Sequence, residues 1–352
     1  MKNYLIKITP LEPYTFGGER GFTYNGVDDN GTYYMGSKEI PEQTTILGTL
    51  RYLLLKSEGV LKSPPNYSNY EKTKNARICG GDTFQFESDK EQSLGFIEEV
   101  SPLFIMDKQE NIYIPNPFCN IGKDGKLQLM KMTEGVECSL GNGFAFPENS
   151  EAGYEAKKGY GSGFLCISDD KLSNVKKTED IFTKQLISGN NISQTDDAYF
   201  KREVFVMKEG MSFAVYLTLS DEAKDLSESN IIYMGKKNSA FKFETQQIND
   251  KNESLDRKVE AFFIKRNMSN SWSYCLSDVF VEEIKYSNFA IVETKKLRNL
   301  KTEYTDKGFI RSRQKRYELI KAGSCFYGFQ EIKSNYNLSK FGYNHIIQIG
   351  GK

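Results

Sequence analysis

The chain has 352 residues, with 47 Lys and Arg against 47 Asp and Glu and a single histidine. That length allows one large domain or two of ordinary size, with a core that needs no disulfides. A net charge of zero excludes a uniformly basic protein that binds polyanions over its whole surface. No apolar run approaches the ~20 residues that cross a bilayer, so we expect a soluble cytoplasmic protein with no membrane partner.

The charge is unevenly distributed. Residues 246–352 carry 19 basic and 12 acidic side chains, whereas residues 1–245 carry 28 basic and 35 acidic ones. The basic excess peaks over residues 295–321, with 10 basic against 3 acidic residues. An acidic part and a basic part predict two different partners, or one polyanion and one basic protein surface.

The first predicted element is a strand over residues 3–9, which Pro10 ends. The clearest helix is predicted over residues 45–57, capped by Thr44 or Thr45 and ended by Gly59. Its apolar stripe is Ile46, Leu50, Leu53 and Leu54. The spacing i, i+4, i+7 places Thr44, Gly48 and Arg51 on a second stripe, nearly opposite the leucines.

Further along the chain, residues 64–163 read as insertions and long loops around short strands. We predict a strand over 164–167, a hairpin of 198–208 with 211–219, and two strands, 231–234 and 240–243, joined by a basic loop. Residues 246–258 are polar and predict a linker. Later strands are predicted at 259–264, 289–294, 317–320, 324–329 and 346–349. The predicted domains are therefore 1–245, with its insertion, and 258–352.

Catalytic chemistry finds little support in the sequence. A Ser-His-Asp or Cys-His arrangement would have to use His345, the only histidine. The six cysteines are scattered without Cys-x-x-Cys spacing, which favours small buried side chains over a zinc or redox site. The phosphate-binding Gly-x-x-x-x-Gly-Lys-Ser/Thr loop is missing. We therefore predict no metal, no cofactor and no enzymatic activity.

Nucleic-acid binding is favoured by three kinds of segment. Two loops combine glycine with basic residues: Gly17 and Gly18 before Arg20, and Gly235 before Lys236 and Lys237. A basic run covers residues 311–316. The start of the predicted helix adds a dipole that favours phosphate, and Gly48 leaves room beside Arg51 for a sugar or phosphate. Ordinary tight turns and a solvated strand or loop remain the competing interpretations.

Several segments resemble the RAMP superfamily of CRISPR proteins. They are residues 11–20 (LEPYTFGGER) and 41–51 (PEQTTILGTLR), and then, in the family's order, 197–203, 211–216, 232–236, 322–327 and 342–344. The likeness is to the subunit that caps the crRNA 5′ end in type III-B (Cmr) complexes. It implies an α+β fold of two ferredoxin-like halves with long insertions.

The resemblance also implies a role, which is to bind the repeat-derived 5′ tag of the crRNA. The implied protein partners are the large Palm-domain subunit and the first backbone RAMP subunit, with target RNA as an indirect partner. Residue patterns and resemblance together predict one set of RNA-binding residues: Gly17, Gly18, Arg20, Gln43, Thr44, Thr45, Gly48, Arg51, Lys201, Arg202, Gly235, Lys236, Lys237, Arg311, Arg313, Gly323 and Ser324.

Two other functions stay open on the sequence. One is a RAMP-type endoribonuclease that processes crRNA, for which His345 or a tyrosine would serve as general base. The other is a β-rich subunit that makes protein contacts only. The RNA-binding hypothesis predicts that Arg51→Glu weakens crRNA retention and leaves the fold intact, since Arg51 lies off the apolar stripe.

Overall fold

The computed structural model describes residues 1–23, 32–61, 69–81, 84–86, 91–138, 141–147, 162–168, 175–190, 199–249, 254–265, 271–281, 287–305, 308–328 and 336–350. The fold is α+β, as predicted, and rich in strands. The helices are α1 (Gln43–Ser57), α2 (Asn69–Cys79), α3 (Thr178–Ile181), α4 (Leu255–Lys265) and α5 (Tyr336–Lys340). None of the helices within these ranges is both long and apolar enough to cross a membrane.

The strands fall into a first group before α3 and a second group after it. The first group is β1 (Lys2–Pro10), β2 (Phe16–Thr23), β3 (Thr32–Lys38), β4 (Ile97–Val100), β5 (Phe104–Met106), β6 (Ile112–Pro115), β7 (Met132–Cys138), β8 (Gly141–Pro147), β9 (Phe164–Ile167) and β10 (Val175–Lys176). The second is β11 (Phe182–Asn190), β12 (Tyr199–Met207), β13 (Ser212–Leu219), β14 (Ser229–Met234), β15 (Ser239–Ile248), β16 (Trp272–Cys275), β17 (Phe289–Ile291), β18 (Thr294–Thr305), β19 (Gly308–Ile320), β20 (Cys325–Tyr327) and β21 (Ile346–Ile349).

A nine-stranded sheet forms the centre of the molecule. Its order is β10-β9-β6-β5-β13-β1-β15-β14, and β4 also pairs with β13. The predicted first strand is confirmed as β1, which pairs antiparallel with β13 and with β15. Successive side chains of β1 point to opposite faces, so Ile6 packs in the cluster that contains α1, while Leu5 packs in the cluster that contains α4.

Two four-stranded sets of antiparallel strands share one connectivity. In the central sheet, β15-β1-β13-β5 reads fourth, first, third, second along the chain. In the C-terminal sheet, β21-β16-β20-β17 reads the same way. The first set has a helix, α1, after its first strand, and the second has α5 before its last strand.

The predicted linker of residues 246–258 is wrong at both ends. β15 continues to Ile248, which pairs with Asn3 of β1, and α4 begins at Leu255. One apolar cluster also joins the two predicted domains, because Leu5 and Phe104 pack with Phe263 of α4. The described residues at the two ends of this polar stretch lie on a strand and in the first turn of a helix, and residues 250–253 are outside the described residues.

The predicted hairpin of residues 198–219 is also wrong in its pairing. Both strands form, as β12 and β13, but β12 pairs with β11 and β3 in a separate four-stranded sheet of order β11-β12-β3-β2. β13 pairs with β1, β4 and β5. Alternating apolar residues identify a strand but not its neighbours, and the tight turn at Gly210 carries the chain from one sheet to another.

A third correction concerns residues 259–264, which form part of α4 rather than a strand. Leu255, Val259, Phe262 and Phe263 are buried at the spacing i, i+4, i+7, i+8, the stripe of an amphipathic helix. The predicted strand covered only the end of that stripe. Within residues 64–163, the helix α2 was missed, and β5 and β6 belong to the central sheet.

The two strands predicted at 231–234 and 240–243 are confirmed as β14 and β15; they pair as a hairpin with its turn at Gly235–Asn238. The predicted terminal strand is confirmed as β21, and the strand predicted over 164–167 as β9. β18 and β19 form a separate two-stranded antiparallel ribbon, 12 and 13 residues long. The basic maximum of the sequence, residues 295–321, coincides with this ribbon.

Candidate nucleic-acid interface

Helix α1 presents the surface that the sequence predicted, although it starts two residues earlier. Ile46, Leu50, Leu53 and Leu54 are buried. Gly48 is exposed, and a Cβ added there would meet nothing within 4 Å. The N-cap is Glu42, not Thr44 or Thr45, and its carboxylate makes no hydrogen bond to the helix. The open space at Gly48 therefore remains available to a ligand.

Two predicted RNA contacts on α1 are occupied by internal bonds. Gln43 is buried; its Nε2 donates to Ser101 O at 2.9 Å, and its Oε1 accepts from Leu103 N at 3.1 Å. Arg51 Nη2 donates to Gly80 O at 2.8 Å, just beyond the end of α2. Arg51 thus ties α1 to the backbone of the residue that follows α2. Both side chains hold the fold together at these positions.

The two glycine segments predicted separately lie side by side. Gly235 has φ +79°, and a Cβ there would lie 2.5 Å from Thr15 O. Lys236 N donates to the same oxygen at 3.0 Å, which fixes the β14–β15 turn against the residues just before Gly17 and Gly18. A Cβ on Gly18 would lie 2.6 Å from the Gly36 backbone. Lys237 is exposed beside them.

A buried contact beneath this surface links β14 to α1. Thr49 Oγ1 of α1 donates to Met234 Sδ, the last residue of β14, at 3.2 Å. The start of the helix, where Thr44 and Thr45 are half-buried, and the Gly235 turn thus belong to one end of the molecule. The side chain of Arg20, which extends the Gly17–Gly18 segment along β2, lies outside the described residues.

Lys201 and Arg202 lie on β12, beside a buried carboxylate. Lys201 is exposed, and the Nε of Arg202 is buried without a hydrogen-bond partner among the described atoms. The next residue, Glu203, accepts from Tyr34 Oη, from Ser37 N at 3.1 Å and from Lys184. Burial raises the pKa of Glu203, but the bonds from Lys184 and Tyr34 outweigh it and hold that pKa below its ordinary value.

The structure places Gly323 and Ser324, two of the predicted RNA contacts, in the interior. Ser324 is fully buried, and its Oγ accepts from Glu293 N at 3.3 Å. Gly323 has φ +101°, and a Cβ there would lie 2.5 Å from the Phe118 ring. Gly323, which separates the two strands predicted at 317–320 and 324–329, lies in the turn between β19 and β20, and that turn packs inward.

The ribbon of β18 and β19 has one buried and one exposed face where it leaves the core. Leu297 and Leu319 are buried, whereas Lys296, Arg298 and Arg316 are exposed. Arg298 and Arg316 lie directly opposite each other in the register. Arg311 and Arg313 lie farther along β19, and their side chains are outside the described residues. Arg316 belongs to the predicted basic run of residues 311–316, whereas Arg298 was not predicted, although strand alternation within the basic maximum could have found it.

A buried ion cluster anchors the ribbon to α1. Lys295 Nζ lies 2.8 Å from Glu42 Oε2 and also binds Asp278, while Lys38 binds the other oxygen of Glu42. Burial lowers the pKa of Lys295, but Asp278 and Glu42 outweigh it and raise that pKa above its ordinary value. Burial raises the pKa of Glu42, and Lys295 and Lys38 bring it below its ordinary value.

A cavity of about 410 Å³ opens beside this cluster, between the start of α1 and the C-terminal sheet. Glu42 and Lys295 contribute to its rim, and Leu103 and Phe164 to its apolar wall. No group of three or more His, Cys, Asp or Glu side chains that could hold a metal ion occurs in the described part of the chain. Five of the cysteines are buried and unpaired, as predicted.

The sole histidine is bound at both ring nitrogens. His345 Nδ1 lies 2.7 Å from Asp256 Oδ2, and Nε2 lies 2.9 Å from Ser339 O. A carbonyl oxygen only accepts, so Nε2 donates to it. Burial lowers the pKa of His345, but Asp256 outweighs it and raises that pKa above 6.5. The imidazole links α4, the end of α5 and the start of β21.

Comparisons with known proteins identify a matching family and a solved structure with a similar fold. A family model described as "CRISPR-associated protein (Cas_Cmr3)" matches residues 6–268. A chain of the type III-B Cmr-beta complex bound to cognate target RNA, solved by cryo-EM, aligns with a TM-score of 0.50 and 13% identity, over 98% of this chain and 96% of that chain. A chain of a Csm1–Csm4 cassette in complex with AMPPNP aligns with a TM-score of 0.38 and 11% identity, over 100% and 98%. No curated protein matches the sequence.

Proposed function

Because the chain belongs to the Cas_Cmr3 family of CRISPR-associated proteins and is a subunit of a type III effector complex, we propose that it binds the repeat-derived 5′ tag of the crRNA and has no catalytic role. The single observation that carries the proposal is the exposed pair of Arg298 and Arg316, opposite each other on the ribbon. Like charges directly opposite on paired strands destabilise the pair. A phosphate group bound between the two arginines neutralises their charges and removes this repulsion.

A second surface supports the proposal on the other side of the ion cluster. There the open flank of Gly48, the Gly17–Gly18 segment and the Gly235 turn with Lys237 come together. Glycines allow a sugar-phosphate backbone to approach closely, and lysines neutralise it. We infer that the RNA runs between this surface and the ribbon, which Lys295 and Glu42 join.

The inferred architecture is two ferredoxin-like halves. The two four-stranded sets with the same fourth-first-third-second order, each with one helix in a crossover, support it. We also propose that the subunit docks the large Palm-domain subunit and the first backbone subunit. The acidic balance of residues 1–245 supplies a surface suited to basic protein partners.

The absence of catalysis is part of the proposal, and His345 supports it. Both ring nitrogens are engaged with Asp256 and Ser339, so the histidine, one of the two kinds of general base that the nuclease hypothesis allows, is committed to linking secondary-structure elements. Cleavage of repeat RNA by the assembled complex that disappears in His345→Ala, with assembly intact, would instead establish the endoribonuclease.

The test measures the salt dependence of crRNA binding by the complex assembled with each variant. Each phosphate contact contributes roughly 0.7 to the slope of log K against log salt for single-stranded nucleic acid. We expect Arg298→Ser/Arg316→Ser to lower that slope by about 1.4. The charge-matched control, Lys123→Ser/Lys126→Ser on an exposed loop, should leave the slope unchanged.

Specificity is tested with two RNAs of equal length, one carrying the repeat-derived 5′ tag and one with that tag scrambled. We expect tighter binding of the tagged RNA, and a loss of the preference in a complex that lacks this subunit. Equal slopes for the arginine variant, the lysine control and the unaltered protein, together with equal affinity for both RNAs, would refute the proposal.

A further inference from the structure

Within the described part of the chain, strand β14 is an edge of the nine-stranded sheet, and it lacks the charged residues and prolines that usually protect an edge. Its six residues, Ser229–Met234, include neither a charged residue nor a proline. Proteins normally shorten an edge strand, or place Lys or Pro on it, to prevent pairing with other chains. The opposite edge of the same sheet follows that rule, because β10 is two residues long.

The register identifies the backbone groups that face outward. Thr245 N donates to Glu228 O at 2.9 Å, and antiparallel pairs alternate between bonded and non-bonded. In β14, the backbone groups of Asn230, Ile232 and Met234 are therefore the ones that bond to β15. The N–H and C=O groups of Ser229, Ile231 and Tyr233 point away from the sheet.

The other side of β15 gives the same alternation independently. Leu11 N donates to Ala240 O at 2.9 Å, so Ala240 is bonded toward the β1 side. Tyr233 is its register partner on β14, and Tyr233 must then be unbonded to β15. Three residues of β14 thus offer a regular array of donors and acceptors that only an extended polypeptide matches in spacing.

The side chains define two faces for a chain laid along this edge. On one face Ile231 and Tyr233 are 57% and 65% exposed. On the other face α1 overhangs the strand: Thr49 contacts Met234, and Lys56 Nζ lies 3.1 Å from Asn230 Oδ1. Tyr52 lies on the same side of α1, between Thr49 and Lys56, and is 41% exposed.

We propose that β14 is the docking site for an extended segment of a partner protein subunit, which adds to the central sheet as a further strand. The segment carries apolar residues at alternate positions beside Ile231 and Tyr233, and an acidic residue on the opposite face. The acidic residue would form an ion pair with Lys56. The Lys56 ammonium bonds only the neutral amide of Asn230, and no carboxylate pairs with it in the described ranges. The proposal is independent of RNA binding.

The first experiment compares backbone amide exchange at residue resolution in the isolated chain and in the purified native complex. The outward amides of Ile231 and Tyr233 should slow by roughly 100-fold or more on assembly. The inward amides of Asn230 and Ile232 should already be slow in the isolated chain. Protection that survives nuclease digestion of the RNA supports a protein strand. Protection that disappears with the RNA, or that is already present in a dimer of the isolated chain, overturns the proposal.

The second experiment uses two variants at one position. Ile231→Pro removes an outward N–H that β15 does not use, a substitution that edge strands tolerate. Ile231→Thr keeps that N–H and shortens the side chain. In competitive reconstitution against the unaltered chain, we expect Ile231→Pro to be incorporated ~10-fold less, the equivalent of about 1.4 kcal/mol, and Ile231→Thr to lose less than that.

Two surface variants and a crosslinking experiment provide further tests of the docking site. Tyr233→Lys should impair incorporation while the free chain remains folded, whereas Ile264→Lys, at an equally exposed position on α4, should not. A photo-crosslinking residue placed at Tyr233 should capture a partner peptide with alternating apolar residues and an acid. Equal incorporation of Ile231→Pro and Ile231→Thr, or crosslinks only to RNA, would refute the docking site.

Discussion

Replacing Lys295 by methionine tests the ion cluster that joins the ribbon to α1. The side chain of Lys295 is 22% exposed, and its partners Glu42 and Asp278 are each 15% exposed. Methionine keeps much of the length of the side chain but removes the ammonium. Two mostly buried carboxylates then face each other across an apolar group, and Asp278 loses the cation that it shares with Glu42.

The expected magnitude follows from the burial of the partners. Removing one member of a buried ion pair costs about 3–5 kcal/mol, because a charge is left uncompensated. Lys38 still binds Glu42 in the variant, so we expect the lower end, ~3 kcal/mol. At roughly 2 °C per kcal/mol for a large chain, the melting midpoint should fall by about 6 °C.

Urea unfolding and calorimetry of Lys295→Met measure this loss, with Lys296→Met as the matched control. Lys296 is the next residue on β18 and is exposed, so its replacement should cost less than about 0.5 kcal/mol. The double variant Lys295→Met/Asp278→Asn should recover part of the stability, since one uncompensated carboxylate is gone. A loss below ~1 kcal/mol for Lys295→Met, equal to that of Lys296→Met, would refute the reasoning.

Two further predictions concern Arg51 and His345. The bond from Arg51 to Gly80 O means that Arg51→Glu should destabilise the fold by about 1.5–3 kcal/mol, in addition to any loss of crRNA retention; unaltered urea unfolding would show that the bond is not needed. The pKa of His345 is raised in the folded state, so its stabilisation is complete below about pH 6.5 and is lost as the pH rises through the folded-state pKa. His345→Asn should therefore cost more at low pH than at pH 9 in unfolding measurements, and an equal cost at both would contradict the bonded imidazolium.

Elements with a strong local pattern could be predicted from the sequence. β1, the helix α1 and β14 all have a periodicity that fits inside one short window, and each is observed close to its predicted bounds, whereas β15 continues five residues beyond its predicted end. The pairing of β12 could not be predicted, because its partners β3 and β11 lie outside that window. Phe262 and Phe263 misled because an apolar run of that length suits a strand or a helix equally.

The same distinction between local and distant sequence applies to the side chains of the candidate site. The sequence identified Gly48 as a position with room beside Arg51 and Gly235 as part of a glycine loop, and the structure has an open flank at Gly48 and a positive φ at Gly235. It could not show that Gln43 and Ser324 point inward, because burial depends on segments far away in the chain, such as Ser101 and Glu293. Arg298 was not predicted, because its proposed role depends on Arg316, which lies opposite it in the ribbon.

The cluster that joins Leu5 and Phe104 to α4 has a consequence for biosynthesis. During translation, the first 250 residues can form the central sheet and pack α1 on one face. Both apolar clusters still wait for later residues: Leu319 and Leu338 complete the cluster on the α1 face, and α4 and the C-terminal sheet complete the other. At 5–20 residues per second, the remaining ~100 residues take roughly 5–20 seconds to emerge. For that interval the nascent chain exposes an apolar sheet, and it should depend on chaperones until its last strand, β21, has left the ribosome.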